Sequence, residues 1–197
     1  MSNAKRSLAS SIVSILVFSF AVIAIGAWYS YFVSSRKILA HMAPGNVILP
    51  VSITVYGRGN DTISARLAFY SSDWTIINTL ERSWPGWEIS IDSCIIESGA
   101  GWIVLPLVIR TDETREGQGV EVSRYYDRDG FPAIYESVRI TPRERKALVR
   151  LFSLAKSGFP AIFASGRFSR RTTTLRQFES GTEYFLHVDE SGTLSFR

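Results

Sequence analysis

Cysteine is almost missing from this chain. Cys94 is the only one among 197 residues, so no internal disulfide can form and metal sites built on several thiolates are excluded. A lone cysteine in a strand-like setting reads as a small buried hydrophobe. Histidine is nearly as scarce, with His41 and His187 alone, and lysine gives way to arginine, 4 against 18. Low-complexity segments and internal repeats are absent. So are H-E-x-x-H, a phosphate-binding glycine loop and a G-x-S-x-G elbow between strand and helix. A Ser-His-Asp arrangement drawn on His187 and Asp189 has no spacing that singles out a nucleophile. The carboxylates between Asp61 and Glu136 read as solvated strand faces. No catalytic, cofactor-binding or metal-binding residue is assigned on these grounds, and enzymatic activity is not expected.

What the chain does have is a long apolar run. Leu8 to Val33 covers 26 residues without a charge, between Lys5-Arg6 and Arg36-Lys37. A helix needs about 20 apolar residues to span the roughly 30 Å hydrocarbon core, so this stretch is long enough with some tilt. Its serines are tolerated by bonding back to helix carbonyls. Trp28, Tyr29 and Tyr31 at its end suit the membrane–water interface. The reading is a short tail (1–7), a transmembrane helix (8–33) and a juxtamembrane linker (34–46). The competing reading is a signal peptide cut after Gly26 or Ala27, which gives a secreted protein. Against it, a signal core takes about 7–15 apolar residues, and here apolar character continues to Val33. Basic residues are nearly balanced across the run. The slight excess at the N-terminal side places the large C-terminal part outside the cytoplasm.

Residues 47–197 make one domain's worth of chain, enough to bury its own core. Val47–Tyr56 and Thr62–Tyr70 read as a hairpin, with Ile63, Ala65, Leu67 and Phe69 on one face of the second strand. Ser72 or Asp73 caps an expected short helix through Trp74, Ile77 and Leu80, ended by Pro85-Gly86. Trp87–Ile96 alternates again. Trp102–Arg110 is a nearly unbroken apolar run, the mark of a strand covered on both faces, and Pro106 marks an edge or a bulge. Val120–Tyr126 and Phe131–Glu136 flank the turn Asp127-Arg128-Asp129-Gly130. Glu183–Val188 and Thr193–Phe196 flank the matching Asp189-Glu190-Ser191-Gly192. Between these hairpins, Thr141-Pro142-Arg143-Glu144 is a capping box opening a helix with the apolar stripe Ala147, Leu148, Leu151, Phe152 and Ala155, stopped by Gly158. Phe159–Phe163 and Thr172–Phe178 are weaker strand candidates. The fold class is α+β, mostly antiparallel β, with one or two short helices in a single strand-rich domain.

Charge is the most distinctive feature of that domain. Asp61–Glu136 holds 13 acids and 6 bases, whereas Ser137–Arg176 holds 10 bases and one acid. Arginine forks bind carboxylates and phosphates bidentately. Arg143, Lys146, Arg150, Arg167, Arg170 and Arg171 are therefore the candidate surface for an anionic partner or envelope protein within 137–176; the simpler reading pairs these bases with the acidic middle of the same chain. Membrane lipid is the partner expected at 8–33, and nucleic acid is not expected. Tyr125-x-Asp127-x-Asp129-Gly130 with Glu136 follows part of a calcium-loop spacing, but Tyr125 stands where the first carboxylate belongs, so a plain hairpin is the simpler reading. Trp84 and Trp87 either present two indoles to a ligand or close the lid of a core. Together these readings describe a single-pass, membrane-anchored protein with an extracytoplasmic binding or scaffolding domain. A membrane-anchored enzyme with a dispersed site and a secreted protein are the alternatives.

Overall fold

The computed structural model describes residues 2–39, 47–99, 101–114, 118–136, 140–157 and 168–197. The chain divides into two compact units, Met1–Ser34 and Ser35–Arg197. Helix α1 (Ser2–Ile38) contains the expected 8–33 span and continues into the first residues of the expected 34–46 linker, of which 40–46, with His41, lie outside the described residues. The apolar side chains from Val13 to Ile25 are exposed on every face, Phe18 at 71% and Phe20 at 75%. Among the described residues no helix is long and apolar enough to cross a membrane. The spanning expectation thus draws no support from the helix as described. Tyr29 is exposed; the side chains of Trp28 and Tyr31 lie outside the described ones.

The second unit is α+β and mostly antiparallel. Strands β1 (Val47–Gly59), β2 (Thr62–Tyr70), β3 (Ile76–Pro85), β10 (Glu183–Val188) and β11 (Leu194–Phe196) form one sheet in the order β11-β10-β1-β2-β3. Strands β4 (Ile89–Ser98), β5 (Gly101–Thr111), β6 (Val120–Glu121) and β9 (Phe168–Leu175) form a second in the order β6-β5-β4-β9. The β1–β2 hairpin turns through Asn60 and Asp61, both at positive φ, the geometry that matches strand twist in a two-residue loop. As the alternation requires, Ile63, Ala65, Leu67 and Phe69 of β2 are buried. The two sheets face one another: Leu49, Leu186, Val188 and Leu194 of the first pack against Ile95 and Val104 of the second.

The β4–β5 hairpin is buried on both faces. Ser93–Ile96 and Ile103–Leu107 contain no exposed residue. One face meets the first sheet; helix α2 (Pro142–Lys156) covers the other with Ala147, Leu148, Leu151, Phe152 and Ala155. The α2 capping box forms as its sequence requires: Thr141 N–H donates to Glu144 Oε2 at 2.7 Å and Glu144 N–H to Thr141 Oγ1 at 3.3 Å. Pro106 sits at a bulge, where Asp92 and Ser93 oppose Val108 and Pro106 and leave Leu107 unpaired with β4.

Beyond this bulge, β5 would expose an edge. The expected strands Val120–Tyr126 and Phe131–Glu136 shorten to two-residue pieces, with β7 (Asp127–Arg128) and β8 (Phe131–Pro132) making a minimal hairpin between 3-10 turns at Ser123–Tyr125 and Ala133–Tyr135. The reason is hydrogen bonding. Tyr135 Oη accepts from Val104 N–H at 2.8 Å and donates to Val104 C=O at 2.9 Å, while Tyr126 Oη donates to Pro106 C=O at 2.5 Å. Two phenols thus serve the edge in place of a neighbouring strand. The expected helix Ser72–Leu80 does not form. Its span becomes loop Ser71–Thr75 and the start of β3, whose Thr79 and Leu80 pair with Ala68 and Leu67 of β2. β-branched residues (Thr75, Ile76, Ile77, Thr79) and a ready partner strand outweigh the helical spacing of Trp74, Ile77 and Leu80. The candidate strand Phe159–Phe163 and Gly158 lie outside the described residues.

The last turn tests this packing. Gly192 has φ +77°, and a Cβ there would stand 2.8 Å from the Trp102 indole, whose Nε1 donates to Glu190 C=O at 3.1 Å. Gly192→Ala should cost about 2 kcal/mol by overpacking. A Tm lowered by roughly 4–8 °C in calorimetry is the expected outcome for a chain of this size, and a Tm within about 1 °C of wild type would contradict the contact.

Candidate functional site

The six basic residues singled out in the sequence do not form one surface. Arg143, Lys146 and Arg150 share one face of α2, opposite the buried stripe. Arg143 and Lys146 are exposed and make no ion pair with any described residue. Arg170 and Arg171 are neighbours in β9 and so project from opposite faces of the sheet. Arg170 donates to the Ala155 carbonyl at 3.4 Å, near the C-terminal end of α2, where the helix dipole favours a cation. Arg167 lies outside the described residues. Much of the remaining basic charge meets the acidic middle of the chain: Lys156 bonds Asp127 at 2.5 Å, Arg145 approaches Glu136 at 3.8 Å and Arg176 bonds Glu88 at 3.2 Å. These exposed pairs contribute about 0–1 kcal/mol each, so they orient charge more than they hold the fold.

The other motifs resolve into structural roles. Asp127 accepts the Gly130 N–H at 2.7 Å as well as Lys156, and Glu136 is held by Arg128 at 2.7 Å, so the calcium-like spacing is a hairpin with engaged carboxylates. Among the described residues no group of three or more His, Cys, Asp or Glu is placed to hold a metal ion. Trp84 is buried and Trp87 half-exposed, so the two indoles do not present a joint surface. His187 is buried, and its Nδ1 has no hydrogen-bond partner among the described residues. Desolvation, followed by the Arg197 charge, lowers its pKa. Asp189 serves the backbone instead, accepting from Ser191 N–H at 2.9 Å and Thr193 N–H at 2.8 Å, so no Ser-His-Asp relay is assembled.

A different site emerges at loop Ser71–Thr75, between β2 and β3. Trp74 has φ +64°, a left-handed conformation that a bulky residue adopts only when its surroundings impose it. The loop supplies that constraint. Trp74 N–H donates to Ser71 C=O at 2.9 Å, Ser71 N–H to Thr75 C=O at 2.9 Å, and Asp73 Oδ1 accepts the Ser71 hydroxyl and the Thr75 N–H. The hydrogen bonds from Ser71 and Thr75 hold the Asp73 carboxyl below its ordinary pKa. The strain serves to place the indole, 50% exposed, edge-on against Phe185 at 5.5 Å and beside Tyr70 at 5.9 Å. Tyr70 and Phe185 contact each other at 6.1 Å, completing an aromatic shelf on the outer face of the first sheet.

Glu183 fixes this shelf from below. Its Oε1 accepts from Ser52 Oγ at 2.5 Å and from Tyr70 Oη at 2.7 Å. Burial, reinforced by Glu183, raises the Tyr70 pKa and keeps the phenol a donor. On the other side of the loop lies an open cleft of about 350 Å³, lined by Ser71, Ser72, Asp73 and Thr75 with Arg128 and Glu136 across from them. Nothing in the sequence pattern isolates this site, because its parts are separated by more than a hundred positions. The one local signal was a tryptophan among turn-forming residues, Ser71-Ser72-Asp73.

No protein-family model matches the chain, and no curated protein or solved structure does so either. Function therefore has to be argued from the geometry above.

Cys94 can be set aside as a nucleophile. It is fully buried, and desolvation pushes its thiol up to about 12, against a smaller opposing effect of Arg170. The fold favours the neutral thiol, so this contribution is intact below the unfolded thiol's range near ~8.5 and is lost as pH rises from there towards about 12. Cys94 should resist alkylation by iodoacetamide at pH 8 and react fully once guanidinium unfolds the chain. Rapid native-state alkylation, read by mass spectrometry, would show the thiol to be accessible.

Proposed function

We propose that this chain is a membrane-anchored binding domain whose contact surface is loop Ser71–Thr75 with its aromatic shelf. One observation carries the reading of the surface: a half-exposed tryptophan is held in a strained backbone conformation by a dedicated hydrogen-bonded turn. Such strain costs of order 1–3 kcal/mol, persists only where the surrounding structure imposes it, and clusters at ligand-binding and active sites. Rigid aromatic display also limits the entropy that binding has to overcome.

Anchoring rests on the sequence. The 26-residue charge-free stretch 8–33 lies within a helical backbone, with Trp28, Tyr29 and Tyr31 as interfacial residues. The domain is assigned to the extracytoplasmic side, with Lys5 and Arg6 on the cytoplasmic side. A narrower version of the basic surface, Arg143 and Lys146, offers a second contact for an anionic partner, favoured by their lack of ion-pair partners among the described residues.

Topology is tested by fusing a reporter active only outside the cytoplasm after Arg197, beside a cytoplasm-only reporter. An exported fusion at full length is expected. An exported product shortened by about 26 residues would indicate a cleaved signal, and a cytoplasmic fusion would reverse the anchor. The contact surface is tested by placing a benzophenone amino acid at Ser72 or, as a control, at Gln177, in the full chain in its own membrane. Ultraviolet light should give a covalent adduct at 72 alone, lost when Trp74→Gly is added. No adduct at 72, or equal adducts at both positions, would reject the surface.

A further inference from the structure

We infer that the ligand of the Trp74 site is a neutral carbohydrate chain, a conclusion that rests on loop Ser71–Thr75 being the contact surface. Three features of the site converge on this chemistry. The first is the platform. Only Trp74 among the three shelf aromatics is widely exposed; Tyr70 and Phe185 are half-buried braces beside it. One broad, rigid indole suits one pyranose ring, whose C–H face meets the electron-rich ring face. A proline-rich peptide is a poorer fit, because it docks in a groove lined by several aromatic rings.

The second feature is the rim. Asp73 Oδ1 accepts from the Ser71 hydroxyl and Thr75 N–H, and Glu183 Oε1 from Ser52 Oγ and Tyr70 Oη, so each carboxylate keeps acceptor capacity on its other oxygen. With the hydroxyls of Ser71 and Ser72 close by, the rim is rich in acceptors for sugar hydroxyl donors. The third feature is charge. Asp73, Glu183 and Glu136 lie around the loop and shelf, and they are offset by Arg128 and Arg145, which approach Glu136 at 2.7 and 3.8 Å, and by Arg66, whose charge acts on Tyr70. A rim so balanced offers phosphates, nucleic acids and acidic sugars no charge complementarity, whereas a neutral polyol needs none. The cleft of about 350 Å³ beyond the loop gives a neighbouring sugar unit somewhere to sit, within the usual range for small-ligand sites of roughly 300–1,000 Å³.

The test uses the full chain in lipid nanodiscs, titrated with chitohexaose, cellohexaose and maltohexaose by calorimetry. Saturable binding of at least one oligosaccharide is expected, unchanged between low and high salt because the ligand carries no charge. Trp74→Gly should weaken it at least tenfold while leaving the thermal transition in place, since glycine suits the φ of +64° at that position. Trp74→Phe should recover part of the loss. Trp87→Ala, which removes the other half-exposed tryptophan of this unit, should leave binding unchanged. Binding that survives Trp74→Gly, or no binding by any of the three oligosaccharides, overturns the inference. If sugars fail but the photoreactive residue at 72 captures a protein, the carbohydrate assignment falls and the contact surface stands. If both fail, both fall.

Discussion

The β4–β5 hairpin has no side left for water, and that constraint organises the second unit. Ser93–Ile96 and Ile103–Leu107 are buried whichever way their side chains project, so both faces of the hairpin must be covered. The five-stranded sheet covers one and helix α2 the other, giving three layers around a central ribbon. Burying a strand this way removes much apolar area from water, at about 25 cal/mol per Å². It also leaves the backbone polar groups at its free edge without solvent. The phenols of Tyr126 and Tyr135 are the answer to that second problem. The stretch from Val122 to Glu136 is therefore better understood as an edge cap than as a failed hairpin.

Charge plays a smaller part in stability than its distribution suggests. The acidic middle and the basic segment do meet, through Asp127 with Lys156, Glu136 with Arg145 and Glu88 with Arg176. Each pair is at least partly solvated, where Coulomb attraction is weak and salt-screened. The Asp127–Lys156 pair links the β7–β8 hairpin to the C-terminal turn of α2, which orients the edge cap. The proposed contact surface lies elsewhere, where the core's demands are relaxed. Loop Ser71–Thr75 takes no part in a strand ladder, so strain at Trp74 can be offset locally by the Asp73 turn without disturbing the sheet. A strained aromatic over a shelf, beside a polar cleft, fits the proposed recognition role. The dispersed His187, Asp189 and Cys94 offer no assembled chemistry alongside it.

By itself the sequence determined whatever depends on neighbours a few positions apart. Thr141-Pro142-x-Glu144 specifies a helix start because both hydrogen bonds of the box close within one turn. The period of Ala147, Leu148, Leu151 and Phe152 specifies which face is buried. The alternation of Ile63 to Phe69 specifies an inward strand face, and Pro106 within an apolar run specifies an edge or a bulge, between which only the β4–β5 register decided. Tertiary structure alone decided what depends on partners far along the chain. Ile76–Pro85 became a strand because β2 stood ready to pair with it, against a helical spacing that was equally readable. Arg170 and Arg171 were parted by the two-residue period of a strand whose existence their own sequence barely signals. The Trp74 site joins residues near 52, 70–75 and 183–185, which meet only because β10 returns beside β1. Local sequence encodes propensity, and register between distant strands is set by burial of the whole core.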